Sequence, residues 1–282
     1  MAGASGIGTE TVRALAGAGA QVVVATRNPA AAEPILRGFP TAEAAALDLA
    51  DLRSVRAFCD GWSGPVAAVV ANAGVMAPPE RQVSAQGWEM QLAINYLGHF
   101  ALVHGLHDAL RAAEEPRVVV VSSGAQRLYG FDFDDPQFER RPYDPMAAYA
   151  QSKTADVLLA VGISRRWARD GIVANSFEPG WIHTNLTRHL SRATMQAVGA
   201  MDEEGNLLTP DYYKTPAQGA ATSVLLAASP LVKGVTGRRF EDNRESEVMH
   251  GGAEFTMSGV ARRSIDPVAA DRLWDYAHGQ FA

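Results

Sequence analysis

The stretch MAGASGIGTE (residues 1–10) decides how the rest of the chain is read. In S5-G6-I7-G8 two glycines let backbone approach a pyrophosphate and let the following helix pack closely on a sheet. The pattern TETVRALAG after them reads as a helix whose N-terminus offers free N–H groups and the positive end of its dipole. A turn of this kind normally follows a β-strand, yet here the sequence begins inside the turn. A second strand, QVVVATR (21–27), arrives at the spacing the turn requires. Arg27 closes that strand at the place where an acidic residue holds the ribose hydroxyls of NAD. A planar guanidinium there suits a 2′-phosphate instead, so the expected cofactor is NADP(H) rather than NAD(H).

Outward from the turn, short β-branched runs alternate with longer helical patterns. AEAAALDL (42–49), PVAAVVANAG (65–74), RVVVVSS (117–123), GIVANSFEPG (171–180) and TGRRFED (236–242) read as further strands. Several are apolar throughout, as expected for strands covered on both faces. In 88–110, Leu92, Tyr96, Phe100, Val103, Leu106 and Leu110 recur three or four apart and predict one helix with a buried stripe. The expected fold is α/β, a Rossmann-type doubly wound parallel sheet in a single domain over 1–282 that apparently lacks its first β-strand. Two stretches break the alternation, 125–147 and 185–216, and both read as lids or binding loops at strand carboxyl ends. The second is expected to hold a short helix near RHLSRATMQAV, and DPVAADRLWDYA predicts a last helix near the end.

Composition narrows the class. The 282 residues carry a net charge of −6 spread along the chain, which argues against a nucleic-acid partner. Cys59 is the single cysteine, so no internal disulfide and no cysteine-rich zinc site can form. No apolar run reaches the length of a membrane span, and a cytoplasmic protein is the expectation. His99, His104, His107 and Asp108 share one helical stretch, and they read as helix surface or partner contacts rather than metal ligands.

Y149-A-Q-S-K153 puts a phenol and an ammonium four residues apart on one helix face. A tyrosine is a poor proton donor and acceptor near neutrality, and an adjacent ammonium favours its phenolate, so the pair suits proton exchange with a carbonyl or alcohol oxygen. RVVVVSS ends in Ser122 and Ser123, and a hydroxyl there could meet the same oxygen.

Together, AGASGIG, ALDL, ANAG, INYLGHF, VVVVSS, YAQSK and EPGWIHT, in this order, resemble the short-chain dehydrogenase/reductase family over nearly the whole chain. The NYLGHF stretch, Arg27 and the long segment before Tyr149 are most similar to its retinol-dehydrogenase-like branch. The resemblance implies a hydride-transferring oxidoreductase acting on a carbonyl or alcohol substrate. It implies Tyr149 as acid/base, Lys153 as its modulator and ribose contact, Ser123 as the partner of the substrate oxygen, and Asn95 as anchor of a proton relay. For the cofactor it implies Gly3, Ser5, Gly6, Ile7 and Gly8 at the pyrophosphate and Asp48 and Leu49 at the adenine. Asn72, Ala73 and Gly74 would line the cofactor, with Pro179, Gly180, Ile182 and Thr184 beside the nicotinamide. Family likeness also suggests a homo-oligomer. Leu128, Tyr129, Phe131, Trp181, Leu186 and Leu190 suggest a substrate with hydrophobic bulk. A rival reading is a non-catalytic dinucleotide sensor on the same scaffold. Aligned on Gly6 and Gly8, the family's first glycine falls on Ala2 and its threonine on Met1, and the strand before them is missing. That strand is central to the fold, so the expectation is a start placed downstream of the native one.

Overall fold

The computed structural model describes residues 6–249 and 257–281; Gly3 and Ser5 lie outside them. The principal helices are α1 (Ile7–Gly17), α2 (Leu52–Asp60), α3 (Gly98–Gly105), α4 (Pro145–Arg166), α5 (Pro216–Ala228) and α6 (Pro267–Gly279). The strands are β1 (Val22–Thr26), β2 (Ala42–Ala46), β3 (Ala68–Ala71), β4 (Arg117–Val121), β5 (Val173–Glu178), β6 (Arg239–Glu241) and β7 (Arg244–Glu245). Strands β3, β4, β5 and β6 run parallel in that order and β7 returns antiparallel on β6. Strands β1 and β2 pair in parallel from Val22 opposite Ala42 to Thr26 opposite Ala46. Among the described residues no pairing joins β1 to β3, so the sheet is in two parts. One helical layer spans both: α1 touches β1 and packs along α5, which covers β3, β4 and β5.

The pleat explains why β4 reads as an unbroken apolar run. Val118 and Val120 enter a large cluster with Leu92, Phe100, Leu158 and Trp274, while Val119 and Val121 enter a second with Phe177, Leu226 and Phe240. Each fully buried valine is worth roughly 1.5–3 kcal/mol in removed apolar surface, which is why a parallel strand covered on both faces excludes polar residues. Three helices start on the same device, an oxygen-bearing cap followed by proline. Asp144 accepts from Met146 N at 2.8 Å and Ala147 N at 2.9 Å, Asp266 accepts from Val268 N, and Thr215 forms a capping box with Gln218. The proline lacks the N–H that would otherwise go unpaired there.

The stripe over 88–110 is buried as expected, but the helix is not continuous. Met90–Leu92 is a helical turn, Ala93–Leu97 a π turn, and the chain bends at Leu106 before His107–Arg111. The π turn widens the helix at Asn95. The 185–216 stretch holds a 3₁₀ turn, Asn185–His189, and a helix, Arg192–Ala197. Helix α6 packs along α4 through Leu273 and Trp274. Among the described residues no helix is long and apolar enough to cross a membrane.

Candidate active site

Gly6 opens α1 with φ +56°, a conformation that L side chains rarely adopt. A Cβ there would also lie 3.0 Å from Thr184 Cγ2, so the turn after residue 5 and the segment after β5 meet face to face. Ile7 and Ile182 lie close together beside Gly219 of α5, while Gly8 is buried in the helix contact. Pro179 and Gly180 are partly exposed directly after β5. Thr184 caps the 3₁₀ turn, its Oγ1 accepting from Leu186 N at 3.2 Å. Arg27 stands exposed just past β1. Asp48 ties its own loop, Oδ1 accepting from Ala50 N at 2.9 Å, and Leu49 is buried against Gly98. Asn72, Ala73 and Gly74 follow β3 and stay partly exposed. A Cβ on Gly74 would sit 3.8 Å from Lys153 Nζ and 3.4 Å from Asn95 Oδ1. The carboxyl ends of β3, β4 and β5 therefore border one cleft, on the edge where open α/β sheets bind ligands.

At the centre of this cleft, α4 presents Tyr149 and Lys153, both buried. Nζ of Lys153 lies 5.9 Å from the Tyr149 ring centroid and donates to Val121 O at 2.9 Å. The two serines after β4 part company. Ser122 is buried and donates to Lys153 O at 2.7 Å, which leaves it structural. Ser123 faces Tyr149, and its hydrogen bond favours the phenolate. Burial nonetheless holds the Tyr149 phenol above its ordinary range, against the lowering by Lys153 and Ser123, with the Asp156 and Glu178 carboxylates adding to the rise. The simple expectation that an adjacent ammonium brings this phenol down is thus outweighed by desolvation.

Asn95 is a bracket. Its Oδ1 accepts from Val75 N at 2.9 Å, and its Nδ2 donates to Val75 O at 3.0 Å and Ser152 Oγ at 2.9 Å. Ser152 in turn donates to Tyr149 O at 2.7 Å. The amide thereby ties the loop after β3 to the helix turn that carries the phenol. Its backbone carbonyl contacts His99 Nδ1 at 2.8 Å, and burial pushes that imidazole down to about 4.

Matching residues 1–194 to the short chain dehydrogenase family model decides the classification. The chain belongs to the short-chain dehydrogenase/reductase family. This short-chain dehydrogenase/reductase is 59% identical over 279 residues to a Streptomyces lividans protein named "Probable oxidoreductase", covering 97% of this chain and 93% of that one. It is 32% identical over 293 residues to human retinol dehydrogenase 14, covering 96% and 82%, which places it in the retinol-dehydrogenase-like branch. A crystal structure of an uncharacterized protein from Mycobacterium Paratuberculosis superposes with TM-score 0.75 and 31% identity, covering 99% and 91%. The short-chain dehydrogenase/reductase is an NAD(P)-dependent oxidoreductase with the α/β fold of that family.

Several elements of the enzyme's site carried no sequence signal, or one passed over. Asp156 is fully buried on α4, its Oδ2 accepting from Lys153 Nζ at 2.7 Å. An acid amid T-A-D-V-L-L, on the face that carries Tyr149 and Lys153, was the available clue. A second group joins Arg127, Glu178, Arg239 and Glu241. Arg127 pairs with Glu178 at 3.1 Å, Arg239 with Glu178 and with Glu241 at 3.0 Å, and Glu241 accepts from Gly259 N at 2.9 Å. Gln126 holds the same segment, donating to Gly259 O and accepting from Ala261 N, each at 3.1 Å. The two long stretches divide as well. Phe131 turns away from the cleft and packs with Phe133 and Tyr276 against the main core, while Leu128 and Tyr129 are exposed. Trp181 rests against Tyr212 and Tyr213, and only Leu186 and Leu190 join the apolar cluster at Tyr149.

Proposed function

We propose that this enzyme interconverts a carbonyl and an alcohol of hydrophobic character with NADP(H) as the preferred cofactor. The observation that carries the reading is the convergence of Tyr149, Lys153 and Ser123 with Gly74 at one cleft. The turn at Gly6 and the start of α1 suit a dinucleotide by offering N–H groups, and the partly exposed residues Asn72–Gly74 and Pro179–Gly180 suit it by offering space rather than large side chains. When bound, the nicotinamide supplies the hydride in reduction and takes it up in oxidation.

In reduction, Ser123 orients the carbonyl oxygen by donating a hydrogen bond, and Tyr149 protonates that oxygen as negative charge develops on it. Lys153 stabilises the phenolate left behind, and Asn95 keeps the Tyr149 turn fixed against the loop after β3. In oxidation the same phenolate takes the alcohol proton. The lining around the phenol supports an apolar substrate: Met76 and Ala77 pack on Tyr149 with Ala125, Met146, Leu186 and Leu190. Exposed Arg27, which makes no hydrogen bond or ion pair among the described residues, supports NADP(H), since its fork is available for a 2′-phosphate.

The test is NADPH oxidation over a panel of apolar aldehydes and ketones by the native enzyme and Tyr149→Phe. The substitution is expected to lower kcat by about 10²–10⁴-fold while leaving the Kd for NADPH little changed. Full turnover in Tyr149→Phe would defeat the assignment.

A further inference from the structure

Tyr149, Lys153 and Asp156 occupy positions i, i+4 and i+7 of α4, so they form one stripe along the helix. The first two account for the proposed proton transfer. Asp156 has no role in it, yet it is the innermost of the three, with no solvent exposure. Its Oδ2 accepts from Lys153 Nζ at 2.7 Å, and its Oδ1 has no hydrogen-bond partner among the described residues. A buried carboxylate half-satisfied in this way is costly unless its one partner holds it firmly. The ammonium divides two of its three N–H bonds between this carboxylate and Val121 O, at 2.7 and 2.9 Å. That leaves one N–H for the side where Gly74 and Tyr149 lie.

We propose that Asp156 is a positioning residue for the proton-transfer step: it holds the Lys153 ammonium in place and opposes its charge, and so sets the pH range in which Tyr149 exchanges protons. The proposal rests on the oxidoreductase reading of Tyr149 given above. Its physical basis is that a charge one helical turn beyond the lysine, in an interior closed to water, is weakly screened. While Asp156 is ionised, the field of Lys153 at the phenol is partly cancelled; when Asp156 takes a proton, the full ammonium charge acts on the phenol and the phenolate becomes easier to form. Burial, outweighing the attraction of Lys153, raises the carboxyl to about 7, so both states are reached in the neutral range. Among the described residues, the other titratable groups around the stripe are Tyr96 and His99 from the 93–99 segment, Tyr276 from α6, which burial raises, and Glu178 from β5, which is paired with Arg127 and Arg239. Tyr96 lies above its ordinary range and His99 below it, both through burial, so neither changes charge near neutrality.

Asp156→Asn tests the idea, because the amide oxygen still accepts from Lys153 Nζ but the charge is gone. The ionisation of Tyr149 is read from its Cζ resonance by carbon-13 NMR in protein without cofactor, assigned against Tyr149→Phe. In Asp156→Asn it is expected to move to lower pH by on the order of one unit. The acid limb of kcat/KM for alcohol oxidation should move the same way, because removing a negative charge favours the phenolate. Superimposed transitions in the native and variant proteins would overturn the proposal. If Asp156→Asn does not fold, the native protein decides: the Tyr149 Cζ shift must show a step at the midpoint of the Asp156 Cγ titration, and its absence also overturns the proposal. A native enzyme that turns over no carbonyl or alcohol would refute the oxidoreductase reading of Tyr149, and the NMR comparison would still stand or fall by itself.

Discussion

Arg27 and the serine pair after β4 show how much rests on single side chains. The guanidinium stands clear of other described groups just past β1, at the strand end where a ribose-bound phosphate would be met. Charge-assisted bonds to a phosphate are worth about 1.5–3 kcal/mol, so Arg27→Asp is expected to lower kcat/KM for NADPH by about 10–100-fold. The same substitution should leave NADH use unchanged or improved. Steady-state kinetics with both cofactors check it, and equal losses with the two would refute the 2′-phosphate role. Ser122 and Ser123 differ only in where the strand ends. The pleat turns Ser122 to Lys153 O and leaves Ser123 facing the phenol. Adjacent identical residues carry no local pattern to separate them, and only the family likeness singled out Ser123; the direction of the last strand residue supplies the physical reason.

At Gly98 the helical segment behind the site is held by close contact, beside the hydrogen bonds of Asn95. Gly98 begins α3 where the loop after β2 crosses it, and a Cβ there would fall 2.3 Å from Leu49 O and 2.7 Å from Leu49 Cβ. Since backbone is the obstacle, Gly98→Ala must move either the helix or the Asp48–Leu49 loop. The expected cost is about 1–3 kcal/mol, seen as a Tm lowered by roughly 2–4 °C per kcal/mol. Weaker NADPH binding should accompany it if Asp48 and Leu49 meet the adenine, and an unchanged Tm would show the contact to be slack. The hydrophobic stripe through 88–110 was legible because burial selects residues three and four apart. The π turn at 93–97 was not, because the four-residue spacings across it, Leu92 to Tyr96 to Phe100, also occur in an ordinary α-helix.

Across the whole molecule, stability is tied to pH through a group that takes no proton in the native state. His99 is buried with Nδ1 on Asn95 O, and burial depresses it from 6.5 to about 4. Unfolded chains therefore bind a proton between those values that the native protein refuses. Stability from this residue is present above about pH 6.5 and is lost as the pH falls toward 4, by at most about 3 kcal/mol. Urea unfolding at neutral pH and at pH near 4.5 should show the native protein losing more stability on acidification than His99→Gln does. Equal losses would mean that the imidazole is not held neutral. At the same scale, the Arg127–Glu178–Arg239–Glu241 network fastens the segment from Gly259 to Ala261 onto the ends of β5 and β6. These partners come from distant parts of the chain, and no local pattern announces them.

The sequence by itself determined the order of strands and helices, the glycine turn, the tyrosine–lysine pair and the family, because each is written in local periodicity or fixed short spacing. Tertiary structure alone decided that Ser122 turns to the Lys153 carbonyl, that Phe131 belongs to the core, and that Lys153 shares its charge with Asp156. The reason is electrostatic and steric at once. A side chain's charge state and contacts depend on what surrounds it after burial, and those neighbours are brought together by packing rather than by position along the chain.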